Sequence, residues 1–142
     1  MRTLIIDSMI DRVSLLQYLQ TWEGFSNPEG EIYQITVRWQ GTSRSQVVTV
    51  EIGEDNFSAY AAIANADEIG TEELGQSAAG LDIPEHFNLF LYEFWPPVFY
   101  WCLNFASDFS DIESIERFRS EIISLANVCD VIESSLSDED KL

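Results

Sequence analysis

Hydrophobic and polar side chains alternate over two neighbouring segments in the first part of the chain. In EIYQITVRW, residues 31–39, one face of an extended chain carries Tyr, Ile, Val and Trp at every second position. The segment QVVTVEI, residues 46–52, repeats this spacing after the polar turn GTSRS. A period of two residues is typical of a half-buried strand, so the two segments predict a β-hairpin.

The next two segments predict a third strand and a short helix. NFSAYAAIANA, residues 56–66, is rich in alanine, which favours a helix, but Phe57, Ala59, Ala61 and Ile63 alternate as they would in a strand. We predict a strand there. TEELGQSAAG, residues 71–80, has the composition of a short helix that a glycine ends.

Capping signals and apolar spacing predict a helix near each end of the chain. Ser8 and Asp11 form a capping-box pattern that predicts a helix over 8–21, followed by a loop over 23–30 that holds Asn, Pro and two Gly. Ser110 and Glu113 form a second capping box at the start of a long amphipathic helix, 110–136. Its apolar stripe comprises Ile112, Ile115, Phe118, Ile122, Leu125, Cys129 and Ile132.

The stretch LYEFWPPVFYWCLNF, residues 91–105, contains seven aromatic side chains. The two prolines are incompatible with a continuous helix across its middle, and we favour two strands that meet at residues 95–97. Residues 87–94 also fit a helix that begins after Pro84, so hairpin and helix both remain open for this segment.

These elements predict one α+β domain over residues 1–136, with a polar tail at 137–142. Its antiparallel sheet has about four to five strands, and the N-terminal helix and the long C-terminal helix pack on it. The order of helix, three strands, short helix, two strands and long helix resembles the fold of type III secretion chaperones. This resemblance implies a protein that holds a segment of an effector.

The chain is strongly acidic, with a formal net charge of −18. Its basic residues are few and scattered, and no Lys or Arg lies between Arg44 and Arg117. A nucleic-acid-binding protein or a protein that binds anionic membranes needs a basic patch, so both classes are disfavoured. The charge indicates either a solubilising surface or a face that binds a basic partner protein.

We predict that the contact face for this partner lies in the span that lacks cations. The predicted acidic contact residues are Glu51, Glu54, Asp55, Asp67, Glu68, Glu72 and Glu73. Aromatic anchors surrounded by polar groups are common in tight interfaces, which adds Tyr92, Trp95 and Tyr100 to the predicted partner-binding residues. Phe99, Trp101, Leu103 and Phe105 alternate on the other face and are predicted to fill the core.

The sequence contains no pattern typical of a catalytic, metal or cofactor site. His86 is the single histidine, and no nucleophile motif accompanies it. Cys102 and Cys129 lie in apolar surroundings without a metal-binding spacing, which predicts buried free thiols in a reducing compartment. We therefore expect no enzyme, cofactor or metal ion. The first ten residues do not resemble a signal peptide, so we expect a cytoplasmic protein.

The function that the sequence favours is a non-enzymatic inhibitor that binds and blocks a basic protein. Two versions fit: an immunity-type protein that neutralises a toxin or nuclease, and a DNA mimic that blocks a restriction or CRISPR-type complex. The alternative is an acidic chaperone-like or adaptor protein. A monomer favours the inhibitor, whereas a dimer favours the chaperone.

Overall fold

The computed structural model describes residues 10–39, 41, 44–94 and 98–141, and within them the chain forms one α+β unit. The helices are α1 (Arg12–Leu19), α2 (Thr71–Ala78) and α3 (Ile115–Lys141), and Phe109–Asp111 forms a turn of 3₁₀-helix. The strands are β1 (Ser26–Glu29), β2 (Ile32–Arg38), β3 (Ser45–Ile52), β4 (Asn56–Asn65), β5 (Asn88–Phe94) and β6 (Val98–Asp108). The described part therefore has six strands, slightly more than predicted.

The six strands form a single antiparallel sheet in the order β1-β2-β3-β4-β6-β5. Three hairpins join β1 to β4 in sequence, and α2 then connects β4 to the last hairpin. Of the two strands in the last hairpin, β6 pairs with β4, so β5 lies at the edge of the sheet. One end of the sheet therefore brings together the β1–β2 turn, the β3–β4 turn and the end of β6.

One face of the sheet packs against α3 and α1. The apolar stripe of α3 that the sequence predicts is buried at Phe118, Ile122, Leu125, Cys129 and Ile132. It lies against the central strands, where the small side chains Ala59 and Ala61 allow close approach of the helix. The fit depends on shape as well as on hydrophobicity, because close-packed interiors tolerate few voids.

An aromatic cluster joins the two helices to the sheet. The ring of Phe118 lies edge-on to Phe57 of β4, with 5.3 Å between the ring centroids, and edge-on to Tyr18 of α1 at 6.1 Å. Phe57 also contacts Phe105 of β6, at 5.8 Å. Phe118 thus contacts both α1 and the sheet within one core.

The predicted hairpins at 31–52 and 87–105, the strand at 56–66 and the short helix at 71–80 are confirmed. The prediction of a loop over 23–30 was wrong, because Ser26–Glu29 forms β1. Gly30 adopts a positive φ of 49° there and lets the chain turn into β2.

The two helices near the ends of the described chain begin later than the capping boxes predicted, at Arg12 and at Ile115. Asp11 caps α1, since the Ser14 amide donates to Asp11 Oδ1 at 2.8 Å and the Asp11 amide donates to Ser14 Oγ at 2.9 Å. Ser8 lies outside the described residues. At the other helix, Ser114 Oγ accepts the Arg117 amide at 3.1 Å, so α3 begins after Ser114. The backbone of α3 continues to Lys141, across most of the predicted tail at 137–142.

The predicted core face of β6 is confirmed in part. Leu103 and Phe105 are buried, and Trp101 is half-buried with its indole N–H donating to the Ile69 carbonyl at 2.9 Å. The prediction that Phe99 lies in the core was wrong, because its side chain is exposed. Among the described residues, no helix is long and apolar enough to cross a membrane.

Replacing Phe118 by alanine should destabilise the whole domain. The substitution empties a fully buried site that three elements share, and a change of this kind costs about 3–5 kcal/mol of the free energy of unfolding. Urea unfolding followed by tryptophan fluorescence measures the loss. Val131→Ala, on the exposed side of the same helix, is the control, and we expect it to change stability by less than about 0.5 kcal/mol. Equal stability of the two variants would contradict the packing described.

Candidate functional site

The predicted acidic contact residues lie in two groups at opposite ends of β4. Glu54 and Asp55 lie in the β3–β4 turn, and Glu51 lies just before it on β3. The other four, residues 67, 68, 72 and 73, follow the far end of β4. Because β4 has ten residues at about 3.3 Å each, the two groups lie roughly 30 Å apart.

The structure instead gathers carboxylates from separate segments around one surface cleft of about 600 Å³. We call it the acidic cleft. Its acidic lining residues are Asp11, Glu54, Asp55, Asp108 and Glu113. All five are exposed, whereas Ile10, Phe109 and Ile112, which also line the cleft, are buried. The cleft therefore has an acidic rim and an apolar floor.

Backbone hydrogen bonds hold the segments that form the rim. The Gly53 amide donates to the Asn56 carbonyl at 2.8 Å and closes the β3–β4 turn. The Phe109 amide donates to the Asp55 carbonyl at 2.9 Å, which fixes the 3₁₀ turn against the same turn. Since Asn56 also pairs with Asp108 in the sheet, the carboxylates of the turn and of the end of β6 are placed by regular structure.

The described ion pairs place cations beside other acidic residues. Arg12 pairs with Glu31, Arg38 with Glu23, Arg44 with Asp130, and Arg117 with Glu121. None of these four acceptors lines the acidic cleft. At the rim, the Ser14 amide holds the pKa of Asp11 below its ordinary value, so this carboxylate stays ionised in mildly acidic solution.

The sheet face opposite the helices carries a second cluster, which is aromatic. Tyr60 is buried there, stacked on Tyr92 with 5.1 Å between ring centroids and edge-on to Phe90 at 6.0 Å. Burial raises the pKa of Tyr60, and a hydrogen bond with the Tyr92 side chain adds to the effect. Tyr92 and Tyr100, two predicted anchors, are half-buried on this face, and Trp95 lies outside the described residues.

The candidate nucleophiles are poorly placed for catalysis. Cys102 and Cys129 are buried and free, as predicted, and burial raises their pKa values to about 11 and about 12. At neutral pH both are therefore thiols, the less reactive form. His86 contacts Glu121 Oε1 at 2.7 Å and packs beside Phe87. Within the described residues, no group of three or more His, Cys, Asp or Glu side chains is arranged to hold a metal ion.

Comparison of the chain with protein-family models, with curated proteins and with solved structures finds no match.

Sequence reasoning missed three of the five rim carboxylates: Asp11, Asp108 and Glu113. The last two fall within the span that lacks cations, which was a signal for them. Their meeting with Glu54 and Asp55 follows from the pairing of β4 with β6, which residue periodicity does not reveal. The sequence placed Asp11 at the start of a helix. Its position beside the β3–β4 turn is a result of tertiary packing, which the sequence pattern does not reveal.

Replacing Asp11 by alanine should lower stability at neutral pH by about 1 kcal/mol, because the amide of Ser14 loses its cap. The pKa of Asp11 is lowered on folding, so its contribution is present above the unfolded pKa and is lost as the pH falls through the folded value. The difference in the free energy of unfolding between wild type and Asp11→Ala, measured with urea, should therefore become smaller below about pH 4.

Asp11→Asn is the matched control, since asparagine caps a helix as well as aspartate does. We expect it to retain most of the stability at neutral pH. A gap between wild type and Asp11→Ala that stays constant from pH 7 to pH 3 would contradict the role of the ionised cap.

Proposed function

We propose that the protein is a non-catalytic binding protein that engages a basic partner protein at the acidic cleft and blocks the surface it covers. The observation that carries this proposal is the convergence of five exposed carboxylates on one apolar-floored cleft. A lysine or arginine side chain fits such a site, because its aliphatic stem can pack on the apolar floor while its charge meets the rim.

The overall charge supports the same proposal. With a net charge of −18, the chain attracts a cationic protein over a long range, and opposite potentials speed the encounter of two proteins. The same charge repels phosphate groups, so nucleic acid is a poor ligand. The two free cysteines favour a reducing compartment, and we place the binding in the cytoplasm.

The shape of the acidic surface favours one version of the inhibitor. Duplex DNA carries one negative charge per roughly 1.7 Å of its axis, so a DNA mimic needs carboxylates spread along a groove. Here five carboxylates cluster at one end of the sheet, and the other predicted group lies roughly 30 Å away. This distribution supports neutralisation of a compact basic site, as an immunity-type protein would provide, over mimicry of a long duplex.

A chaperone-like or adaptor function is the second candidate. The aromatic cluster of Tyr60, Phe90 and Tyr92 on the sheet face opposite the helices favours it, because such a surface can hold an extended apolar segment. Binding of that kind should depend weakly on salt, whereas binding at the acidic cleft should weaken steeply as salt rises.

Reversing two rim charges should weaken the partner complex at least about tenfold, because four units of favourable charge are lost at the contact. The variant is Glu54→Lys with Glu113→Lys. The partner is first recovered on the immobilised wild-type chain from a host lysate at low salt and identified, and its affinity for each purified variant is then measured at several salt concentrations.

The matched control is Asp82→Lys with Glu85→Lys, which changes the net charge equally at exposed positions outside the cleft. We expect this control to retain most of the affinity. Equal weakening of both variants would show that the cleft has no special role, and a partner that is not basic or stays bound at high salt would overturn the proposal.

A further inference from the structure

The two edges of the described sheet differ in how they are protected. Strand β1 has four residues, includes Pro28, and pairs irregularly with β2. The Asn27 side-chain amide donates to the carbonyls of Gly30 and Ile32, at 3.0 and 2.7 Å, which fixes the turn between β1 and β2. Short strands, proline and irregular pairing all hinder the addition of another strand. The β1 edge is thus poorly suited to strand addition.

Strand β5 has none of these features over its seven residues, and it is paired with β6 at every position from Asn88 to Phe94. It carries two exposed leucines on one face, Leu89 with 51% and Leu91 with 48% of its surface accessible. Phe99, on the adjacent strand β6 and the same face, is 37% exposed. A long, regular edge strand with exposed apolar side chains is a surface suited to pairing with another chain.

The exposed side chains of Leu89, Leu91 and Phe99 form an apolar row, and carboxylates lie at one end of it. Glu93 follows the two leucines on the same face of β5 and pairs with Phe99 in the sheet. The Ala66 amide donates to the Phe99 carbonyl at 2.8 Å, so the segment that continues into Asp67 and Glu68 lies at the same end of the sheet, on the side of β6 away from β5. The row therefore runs from leucines to acidic residues, and a complementary strand would carry apolar side chains followed by basic ones.

We propose that the β5 edge is a docking site for an extended segment of the partner protein that carries, on one face, apolar side chains followed by basic ones. The segment adds a seventh strand to the sheet. Its backbone hydrogen bonds to β5 supply affinity, and its side chains pack on Leu89 and Leu91 and meet Glu93. The basic character of the segment rests on the proposed function, whereas the use of the edge does not.

A second copy of the chain fits this edge less well. Each copy carries a net charge of −18, and pairing two β5 strands would bring two sets of acidic strand ends together. Like charges across an interface are unfavourable, and self-repulsion of this size keeps a protein monomeric.

The test uses the full chain and a peptide of about nine residues with blocked ends, in which threonine alternates first with two valines and then with two lysines, so that valines and lysines share one face. We expect the peptide to bind and to slow hydrogen exchange at amides of β5. The first control is the same peptide with alternate residues N-methylated, which keeps the charge and removes backbone donors. The second control replaces each lysine by threonine. It distinguishes the contribution of backbone pairing to affinity from the contribution of charge.

Matched variants of the protein locate the contact. Leu89→Thr with Leu91→Thr should weaken valine–lysine peptide binding at least about tenfold, since two apolar contacts are lost. Val47→Thr with Val131→Thr alters two valines of similar exposure, 50% and 47%, away from the β5 edge, and should leave the affinity within about twofold.

The proposal is overturned if the N-methylated peptide binds as tightly as its parent, if β5 amides gain no protection, or if the leucine variant binds normally. A dimer in size-exclusion chromatography that the leucine substitutions dissociate would assign the edge to a second copy and overturn it too. If the valine–threonine peptide binds β5 as well as the lysine peptide does, the edge is confirmed and its basic preference is wrong. Failure of the acidic cleft variants to weaken partner binding would count against the proposed function alone.

Discussion

The packing of helix α3 on one face of the sheet determines which surfaces remain for binding. The ring of Phe118 on α3 contacts Phe57 of the sheet and Tyr18 of α1, so the helices and the sheet share one core. Because a single helical layer covers a six-stranded sheet on one side, the opposite face and the β5 edge stay without a helix in the described structure. The acidic cleft forms at one end of the strands, where the core residues Ile10, Phe109 and Ile112 form its floor.

Charge and apolar surface are combined at both candidate sites. In the acidic cleft, carboxylates surround a floor that includes Phe109 and Ile112, and at the β5 edge two leucines precede Glu93. Excess negative charge destabilises a folded chain through self-repulsion, so the core must outweigh this cost. A cationic partner relieves the repulsion on binding. On the proposed function, the net negative charge that opposes folding is the same charge that strengthens association with a basic protein.

The sequence predicted the elements better than it predicted their arrangement. Alternation identified β2 to β6, because burial of one sheet face leaves a period of two residues in the chain. The first residue of α3 was harder to predict, because Ser110 and Ser114 can both cap a helix. In the folded chain Ser114 is the cap, and tertiary packing decides between the two. The pairing of β4 with β6 leaves no local signal, and that pairing brings Asp108 to the β3–β4 turn.

Hydrogen exchange of the free chain and of its complex with the basic protein recovered at low salt tests the central claim most directly. The account predicts that binding slows exchange in the β3–β4 turn at 53–55 and in the segment 108–113, which surround the acidic cleft. The outer surface of α3 should exchange at the same rate in both states. Protection confined to α3, with no change at 53–55 or 108–113, would contradict the account.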